Sequence, residues 1–144
     1  MSYSIDLSLL LCSVDEDSPV HKPAKRFLIT VLDSEELCVL SWETIYGFVR
    51  ISTHRGIFRN PLSTQIAISN MQSLIDHPRV EVVSTGRLSW NIFVRLTGEL
   101  SIKGNLVPDA LLASLLEANG VKRLYTRDRD FRKFDYLEPV DPVS

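Results

Sequence analysis

Two patterns of apolar residues alternate along the chain. Short, nearly continuous apolar runs such as LCVLS and VEVVS are typical of strands buried in a parallel sheet. Between these runs, apolar residues recur every three or four positions, which predicts amphipathic helices. The predicted strands span residues 3–6, 37–41, 80–84 and 121–126. The predicted helices span approximately residues 19–32, 42–51, 61–75, 88–100 and 109–119.

Cap residues indicate where several of these helices begin and end. Ser18 is a suitable N-terminal cap for the first predicted helix, and Ser41 for the second. Asn60 and Ser63 both fit the start of the third helix, and the choice between them stays open. Gly120 follows the last helix, in the position where a glycine commonly ends one.

Alternating strands and helices predict an α/β fold whose central sheet is mainly parallel and covered by helices. The chain of 144 residues has the usual size of one domain, and it contains no internal repeat. We therefore expect a single domain over residues 1–144. The segment after residue 126, which begins with TRDRDF, is not assigned to any element.

Composition and charge limit the possible functions. Hydrophobic residues make up 44% of the chain and charged residues 24%, which is ordinary for a globular protein. The net charge is only −2, so any contact with nucleic acid must come from a local basic patch. Cys12 and Cys38 have no metal-site spacing and are expected to be buried thiols in a reducing compartment. Without a basic leader or a long apolar run, we expect a cytoplasmic protein with no membrane span.

Four acidic residues stand at predicted strand ends or helix starts: Asp6, Glu43, Asp109 and Asp128. In a parallel α/β fold such positions converge, because ligand sites lie outside the carboxyl ends of the strands. Several ionised carboxylates in one pocket repel each other unless a cation neutralises them, and oxygen ligands favour Mg²⁺ or Mn²⁺. The pattern therefore predicts a site for one or two metal ions.

Each acid also has a simpler explanation. Glu43 and Asp109 fall in first helical turns, where the helix dipole favours a carboxylate. Asp128 alternates with arginines in a charged turn, which is typical of a solvated loop. Asp6 interrupts an apolar stretch and is costly to bury without a partner, so this residue favours a functional role.

The chain resembles the PIN-domain ribonucleases, and most closely the VapC-type toxins of bacterial toxin–antitoxin pairs. The similarity rests on IDLSLLL followed by SPVHKPAKRFL, on SWETIYGFVRISTHRGIFRNPLS, on GNLVPDALLASLLEANGVKRLYT and on TRDRDF. In this family the first strand ends in an Asp, matched by Asp6, and the helix after the second strand supplies an acid, matched by Glu43. An Asp followed by Ala at a helix start is matched by Asp109. A Thr, a spaced Asp and a Phe are matched by Thr126, Asp128 and Phe131.

This resemblance implies a three-layer α/β/α domain with Mg²⁺- or Mn²⁺-dependent endoribonuclease activity. It also implies an RNA substrate, a homodimer and a cognate VapB-type antitoxin that blocks the site. Family members commonly have Thr-Asn after the first Asp, whereas Leu7 and Ser8 stand here. Ser8 offers either a hydroxyl near the metal or a helix cap, and Asp130 is either a further ligand or the partner of a neighbouring arginine.

Other residues gain interpretations from this context. Two basic groups are expected to flank the acids and hold RNA phosphates: Arg50, His54, Arg55 and Arg59, and Arg127, Arg129, Arg132 and Lys133. For Arg50 and Arg55, the alternative is that they solvate a helix face or bind antitoxin carboxylates. His21 is interpreted as a helix-surface residue, and Trp42, Tyr46 and Phe48 as core or dimer surface. The main alternative function is a PIN-fold module that binds RNA or protein without catalysis.

Overall fold

A five-stranded, wholly parallel sheet forms the centre of the computed structural model, which describes residues 1–144. The strands follow the order β3-β2-β1-β4-β5, so the first strand lies in the middle. Their bounds are Ser2–Ile5 (β1), Leu37–Ser41 (β2), Val80–Val83 (β3), Arg123–Tyr125 (β4) and Glu138–Val140 (β5). The helices are Leu7–Cys12 (α1), His21–Leu32 (α2), Trp42–Ser52 (α3), Thr64–Ile75 (α4), Arg87–Glu99 (α5) and Leu106–Ala118 (α6). A short 3₁₀ helix spans Arg129–Lys133.

Helices cover both faces of the sheet. On one face, Leu40 of β2 packs in a buried cluster with Leu9 of α1 and Phe48 of α3. On the other face, Val39 packs with Ala113 of α6 and with side chains of α5 and the 3₁₀ helix. Adjacent residues of a strand point to opposite faces, so a strand buried on both sides must be apolar throughout. The three-layer α/β/α prediction is confirmed.

Local signals account for several helix ends. The Ser41 hydroxyl accepts a hydrogen bond of 3.0 Å from the backbone N–H of Thr44, as expected of a cap. Ser63 rather than Asn60 caps α4, since its hydroxyl accepts from the N–H of Ile66 at 3.2 Å. Gly120 has a φ of +70°, which a glycine adopts without the steric cost of a side chain.

Two predicted helix starts were wrong. The cap of α2 is Val20 rather than Ser18, although the Ser18 hydroxyl accepts a hydrogen bond from the Val20 N–H. Helix α6 begins at Leu106, ahead of the predicted start at Asp109. Pro108 is tolerated there because first-turn N–H groups have no partner within the helix. Asp109 still lies in the first turn.

Three elements were not predicted. Helix α1 is apolar on nearly every side, so its sequence shows no helical periodicity. The 3₁₀ helix and β5 follow a charged segment, and β5 is an edge strand that contains Pro139, which edge strands tolerate. Cys38 is buried as expected, whereas Cys12 is only partly buried. None of the helices has both the length and the apolar character needed to cross a membrane.

Candidate active site

The predicted acids lie at the carboxyl edge of the sheet. Asp6 follows β1 directly, and Glu43 lies in the first turn of α3, which follows β2 without a loop. Asp128 lies in the short segment between β4 and the 3₁₀ helix. Because all strands are parallel, these ends share one edge, and α6 brings Asp109 to the same edge.

Asp6, Glu43 and Asp109 line one cavity of about 200 Å³, the acidic cavity. Leucine side chains and Phe131 form much of its remaining wall. An apolar wall excludes water and strengthens electrostatic interactions inside the cavity. The structure thus brings three of the four predicted acids together in one place.

Two hydroxyl groups hold the carboxylate of Asp6. Its Oδ2 accepts a hydrogen bond of 2.8 Å from Thr126 Oγ1 and one of 3.0 Å from Ser8 Oγ. Burial raises the pKa of Asp6, and these hydrogen bonds offset only part of that rise. Ser8 therefore contacts the acid rather than capping α1, whose N-terminus has no side-chain cap. Asp6 is fixed in orientation but costly to ionise without a cation.

Thr126 links two of the acids. Its side chain is buried, and while its hydroxyl donates to Asp6 it accepts a hydrogen bond of 3.0 Å from the N–H of Asp128. The Asp128 carboxylate in turn accepts from the N–H of Asp130 at 2.9 Å and caps the 3₁₀ helix. Through Thr126, the loop after β4 is therefore held against Asp6 at the end of β1.

Burial and neighbouring charges also perturb Asp109. Burial and then the charges of Asp128, Asp6 and Asp130 raise its pKa to about 6, whereas Lys133 lowers it slightly. Carboxylate oxygens of Asp109, Asp128 and Asp130 lie within 4.8 Å of one another. Mutual repulsion of this kind is what a divalent cation relieves.

Asp130 and Glu43 occupy less enclosed positions. Asp130 forms an ion pair of 3.6 Å with Lys133 and none with the neighbouring arginines. Glu43 is exposed, and Thr85 Oγ1 donates to its Oε1 across 3.4 Å. Sequence reasoning did not identify Thr85, although a hydroxyl residue just beyond the apolar run of β3 is the signal that indicates it.

A second cavity, of about 150 Å³, adjoins Asp128 and has no hydrophobic lining. Arg127, Arg129 and Arg132 line it, and we name it the basic cavity. This part of the predicted basic surface therefore lies beside the acids. Of the other group, Arg50 lies in the last turn of α3 and lines neither cavity.

The remaining predicted residues fall outside both cavities. His21 is half-buried, and its Nδ1 lies 3.0 Å from the backbone oxygen of Cys12, so the ring packs against α1. Phe48 belongs to the core, whereas Tyr46 is 72% exposed and Trp42 lies beside it. These two aromatic residues remain available for a partner surface.

The all-parallel, three-layer domain with carboxylates gathered at the carboxyl edge of its sheet agrees with the predicted PIN-domain fold. No family model matches the chain. Ribonuclease VapC48 of Mycobacterium tuberculosis is 32% identical over 144 residues, which cover 100% of this chain and 99% of the relative. The chain belongs to the VapC family of ribonucleases.

Solved structures agree with the fold. VapBC2 from Rickettsia felis, solved bound to a DNA fragment from its promoter, has a TM-score of 0.70 at 16% identity, covering 97% of this chain and 98% of that one. VapC20 of Mycobacterium tuberculosis, described as a toxin that cleaves the sarcin–ricin loop, has a TM-score of 0.66 at 18% identity. That alignment covers 90% of this chain and 92% of VapC20.

Proposed function

We propose that this VapC-family ribonuclease is a metal-dependent endoribonuclease that cuts transfer RNA or ribosomal RNA in the cytoplasm and thereby inhibits translation and growth. The observation that carries the proposal is the convergence of Asp6, Glu43 and Asp109 on one cavity with Asp128 beside it. No serine, cysteine or histidine nucleophile lines the acidic cavity apart from Ser41, whose hydroxyl is committed to capping α3.

The donor chemistry of these residues fits Mg²⁺ or Mn²⁺. All the candidate ligands are carboxylates, with no thiolate or imidazole that would favour zinc. Asp6, Glu43, Asp109 and Asp128 would hold the ion, with Asp130 as the candidate for a further contact. When bound, the cation supplies charge neutralisation, a more acidic bound water and stabilisation of charge on the phosphate.

The chain's own groups set the geometry for this chemistry. Thr126 and Ser8 orient the Asp6 carboxylate, and the backbone of Asp128 is tied to the same threonine. The leucine-rich wall limits access of bulk water to the acids. Hydroxyl groups that fix a metal ligand typically raise activity or metal affinity by roughly 10–100-fold.

We also propose the partners of a toxin. VapBC2, a fold neighbour, was solved as a toxin–antitoxin pair. By analogy, this chain would form a homodimer, with a VapB-type antitoxin covering the acidic cavity in a hetero-oligomer. Ribosomal RNA is the first substrate to examine, because VapC20 is described as cleaving the sarcin–ricin loop. Exposed Tyr46, next to Trp42 on α3, is a candidate contact for one of these protein partners.

The test is induced expression of the chain and of its Asp6→Asn variant in a bacterial host, with growth and total RNA followed in parallel. We expect growth arrest and discrete RNA fragments only with the unmutated chain. Asp33→Asn, at the C-terminal end of α2, is the matched control and should behave like the unmutated chain. Purified protein should lose cleavage when EDTA is added and regain it with excess Mg²⁺ or Mn²⁺.

Two results would contradict the proposal. If Asp6→Asn cleaved RNA as well as the unmutated chain, the acidic cavity would not be the catalytic site. If the folded, purified chain cleaved no RNA and bound neither Mg²⁺ nor Mn²⁺ by calorimetry, a non-catalytic binding module would replace the enzyme.

A further inference from the structure

The basic cavity is a polar recess at the C-terminal side of the site. Its walls come from the loop after β4, the 3₁₀ helix and the segment after β5. Three arginines face it, together with the carboxylates of Asp128 and Asp141. With no hydrophobic lining, its volume of about 150 Å³ suits a small charged group rather than an apolar one.

Two of the three arginines of this cavity lack the acidic partners that other arginines of the chain have. Arg95 and Arg123 each hold a glutamate, at 2.8 Å and 2.9 Å. Arg129 and Arg132 form no ion pair and no side-chain hydrogen bond within the chain, although both line the cavity. Their guanidinium donors are therefore free for a ligand.

Only one acid of the cavity competes for these donors. Arg127 Nε lies 4.0 Å from Asp141 Oδ2, with both side chains partly exposed, which makes a weak ion pair. Asp128 is occupied elsewhere, since its carboxylate caps the 3₁₀ helix and lies against Asp109. The cavity is thus lined by three arginines against Asp128 and Asp141, and by the C-terminal residue Ser144. The guanidinium groups of Arg129 and Arg132, which have no acidic partner, are planar and match the oxygens of a phosphate.

The position of the cavity indicates which phosphate it receives. Asp128 lines the basic cavity, and its carboxylate lies within 4.8 Å of that of Asp109, which lines the acidic cavity. An RNA backbone with one phosphate at the acidic cavity would therefore place a neighbouring phosphate at the basic cavity. Phosphate contacts of this kind fix the register of a nucleic acid rather than read its sequence.

We propose that Arg127, Arg129 and Arg132 form a subsite for the RNA phosphate that neighbours the cleaved phosphodiester, and that this phosphate displaces Asp141 from Arg127. The inference rests on the proposed ribonuclease function and adds the position and register of the RNA backbone. It makes Asp141 an internal competitor of the substrate.

Substitutions on the two sides of this cavity have opposite expected effects. Arg132→Ala and Arg129→Ala should each weaken RNA binding about tenfold, since hydrogen bonds to a charged group are lost. Each should also reduce the slope of log affinity against log salt by about 0.7, the contribution of one phosphate contact on a single strand. Asp141→Asn should strengthen binding, by up to about fivefold, because a weak exposed ion pair is removed.

The experiment measures binding of a fluorescent single-stranded RNA by anisotropy at several salt concentrations. All variants are made in an Asp109→Asn background, which prevents cleavage, and the unmutated chain is assayed for cleavage of the same RNA. Arg26→Ala is the matched control for the arginines, since Arg26 is exposed on α2 and lines neither cavity. Asp33→Asn is the control for Asp141→Asn.

Arg132→Lys separates charge from geometry. It should keep the salt slope but lose part of the affinity, because an ammonium group cannot form the two parallel hydrogen bonds of a guanidinium. Melting temperatures of all variants verify that they are folded. A purely structural role for Arg132 would change the melting temperature and leave the salt slope as it was.

The outcomes distinguish the subsite from the function on which it depends. Weaker binding in the arginine variants with a lower salt slope, and tighter binding in Asp141→Asn, support the subsite. Binding equal to the Arg26→Ala control, in a protein that does cleave RNA, overturns the subsite and leaves the proposed function intact. If the unmutated chain neither binds nor cleaves RNA, the proposed function fails and the subsite with it.

Discussion

Two cavities of opposite charge lie side by side at one edge of the sheet, and the fold holds them in different ways. In the acidic cavity, the Asp6 carboxylate is fixed by two hydroxyl groups, one of them from the buried Thr126. In the basic cavity, Arg129 and Arg132 extend from a short 3₁₀ helix without any partner, and Arg127 has only a distant one.

The difference follows from what each cavity is built to hold. Metal coordination requires ligand atoms placed to within a few tenths of an ångström, which only packed and hydrogen-bonded side chains achieve. Attraction of a phosphate acts over a longer distance than metal coordination, so arginines that no other side chain holds in place suffice to attract it. The side chains that are fixed by packing and hydrogen bonds are therefore those of the acids, where strand ends and helices α3 and α6 meet.

The largest effect is expected from Asp109→Asn, which removes a carboxylate from the centre of the acidic cluster. Cleavage should fall by more than the roughly 10–100-fold typical of residues that only support a metal ligand. Calorimetry should show weaker binding of Mg²⁺ or Mn²⁺ in parallel. Full activity in this variant would show that the ordered acidic cavity is not where the reaction occurs.

A smaller effect is expected from Thr126→Val, which preserves the size of the side chain and removes its hydroxyl. Asp6 then keeps the side-chain hydrogen bond from Ser8 but loses the one from Thr126, and the N–H of Asp128 loses its acceptor. The value of kcat should fall by roughly 10–100-fold, because the Asp6 carboxylate loses one of the hydroxyl groups that orient it.

Ser8→Ala provides the comparison for Thr126→Val. It removes the longer of the two hydrogen bonds to Asp6 and leaves the loop after β4 attached, so its loss of activity should be the smaller one. An equal loss in the two variants would mean that the link between Asp6 and Asp128 contributes nothing. Thr126 would then act only through its hydrogen bond to Asp6.

The sequence predicted the acids of the acidic cavity and the arginines of the basic cavity, but not the contact between Arg127 and Asp141. Asp6 and Glu43 stand where apolar runs end, and the ends of parallel strands are brought together by the fold whatever the intervening chain does. Their individual roles as metal ligands stay a prediction. The Arg127–Asp141 contact depends instead on β5, an edge strand whose short sequence around Pro139 has no strand signal.

Two features near the acids were missed for a similar reason. The sequence indicated Ser8 as a hydroxyl near the metal, but not its helix α1, whose apolar residues surround the helix and so give no period to detect. Thr85 reaches Glu43 only because β3 pairs with β2, which sequence patterns alone do not specify. The sequence shows a hydroxyl residue just after β3, but it does not show which acid that hydroxyl contacts.

The smallest expected effect is on stability. It tests whether holding the carboxylates close together in the acidic cavity destabilises the folded protein. The pKa of Asp109 is raised from its ordinary value to about 6, so between these values the folded chain binds more protons than the unfolded chain. The metal-free protein should therefore become less stable as pH rises from about 4 through about 6. Asp6, whose pKa is also raised, contributes in the same direction.

Asp109→Asn should flatten this decline and raise the Tm of the metal-free protein near pH 7.5. Because Asp109 is only half-buried, solvent screening keeps the gain small, roughly 2–4 °C. Thermal melts in EDTA across this pH range, with Asp33→Asn as the control, measure the effect. Excess Mg²⁺ should reverse the order of the two Tm values, since the unmutated chain binds the ion more tightly and gains more stability from it. If Asp109→Asn melted lower than the unmutated chain in EDTA at pH 7.5, Asp109 would be stabilising the fold rather than straining it.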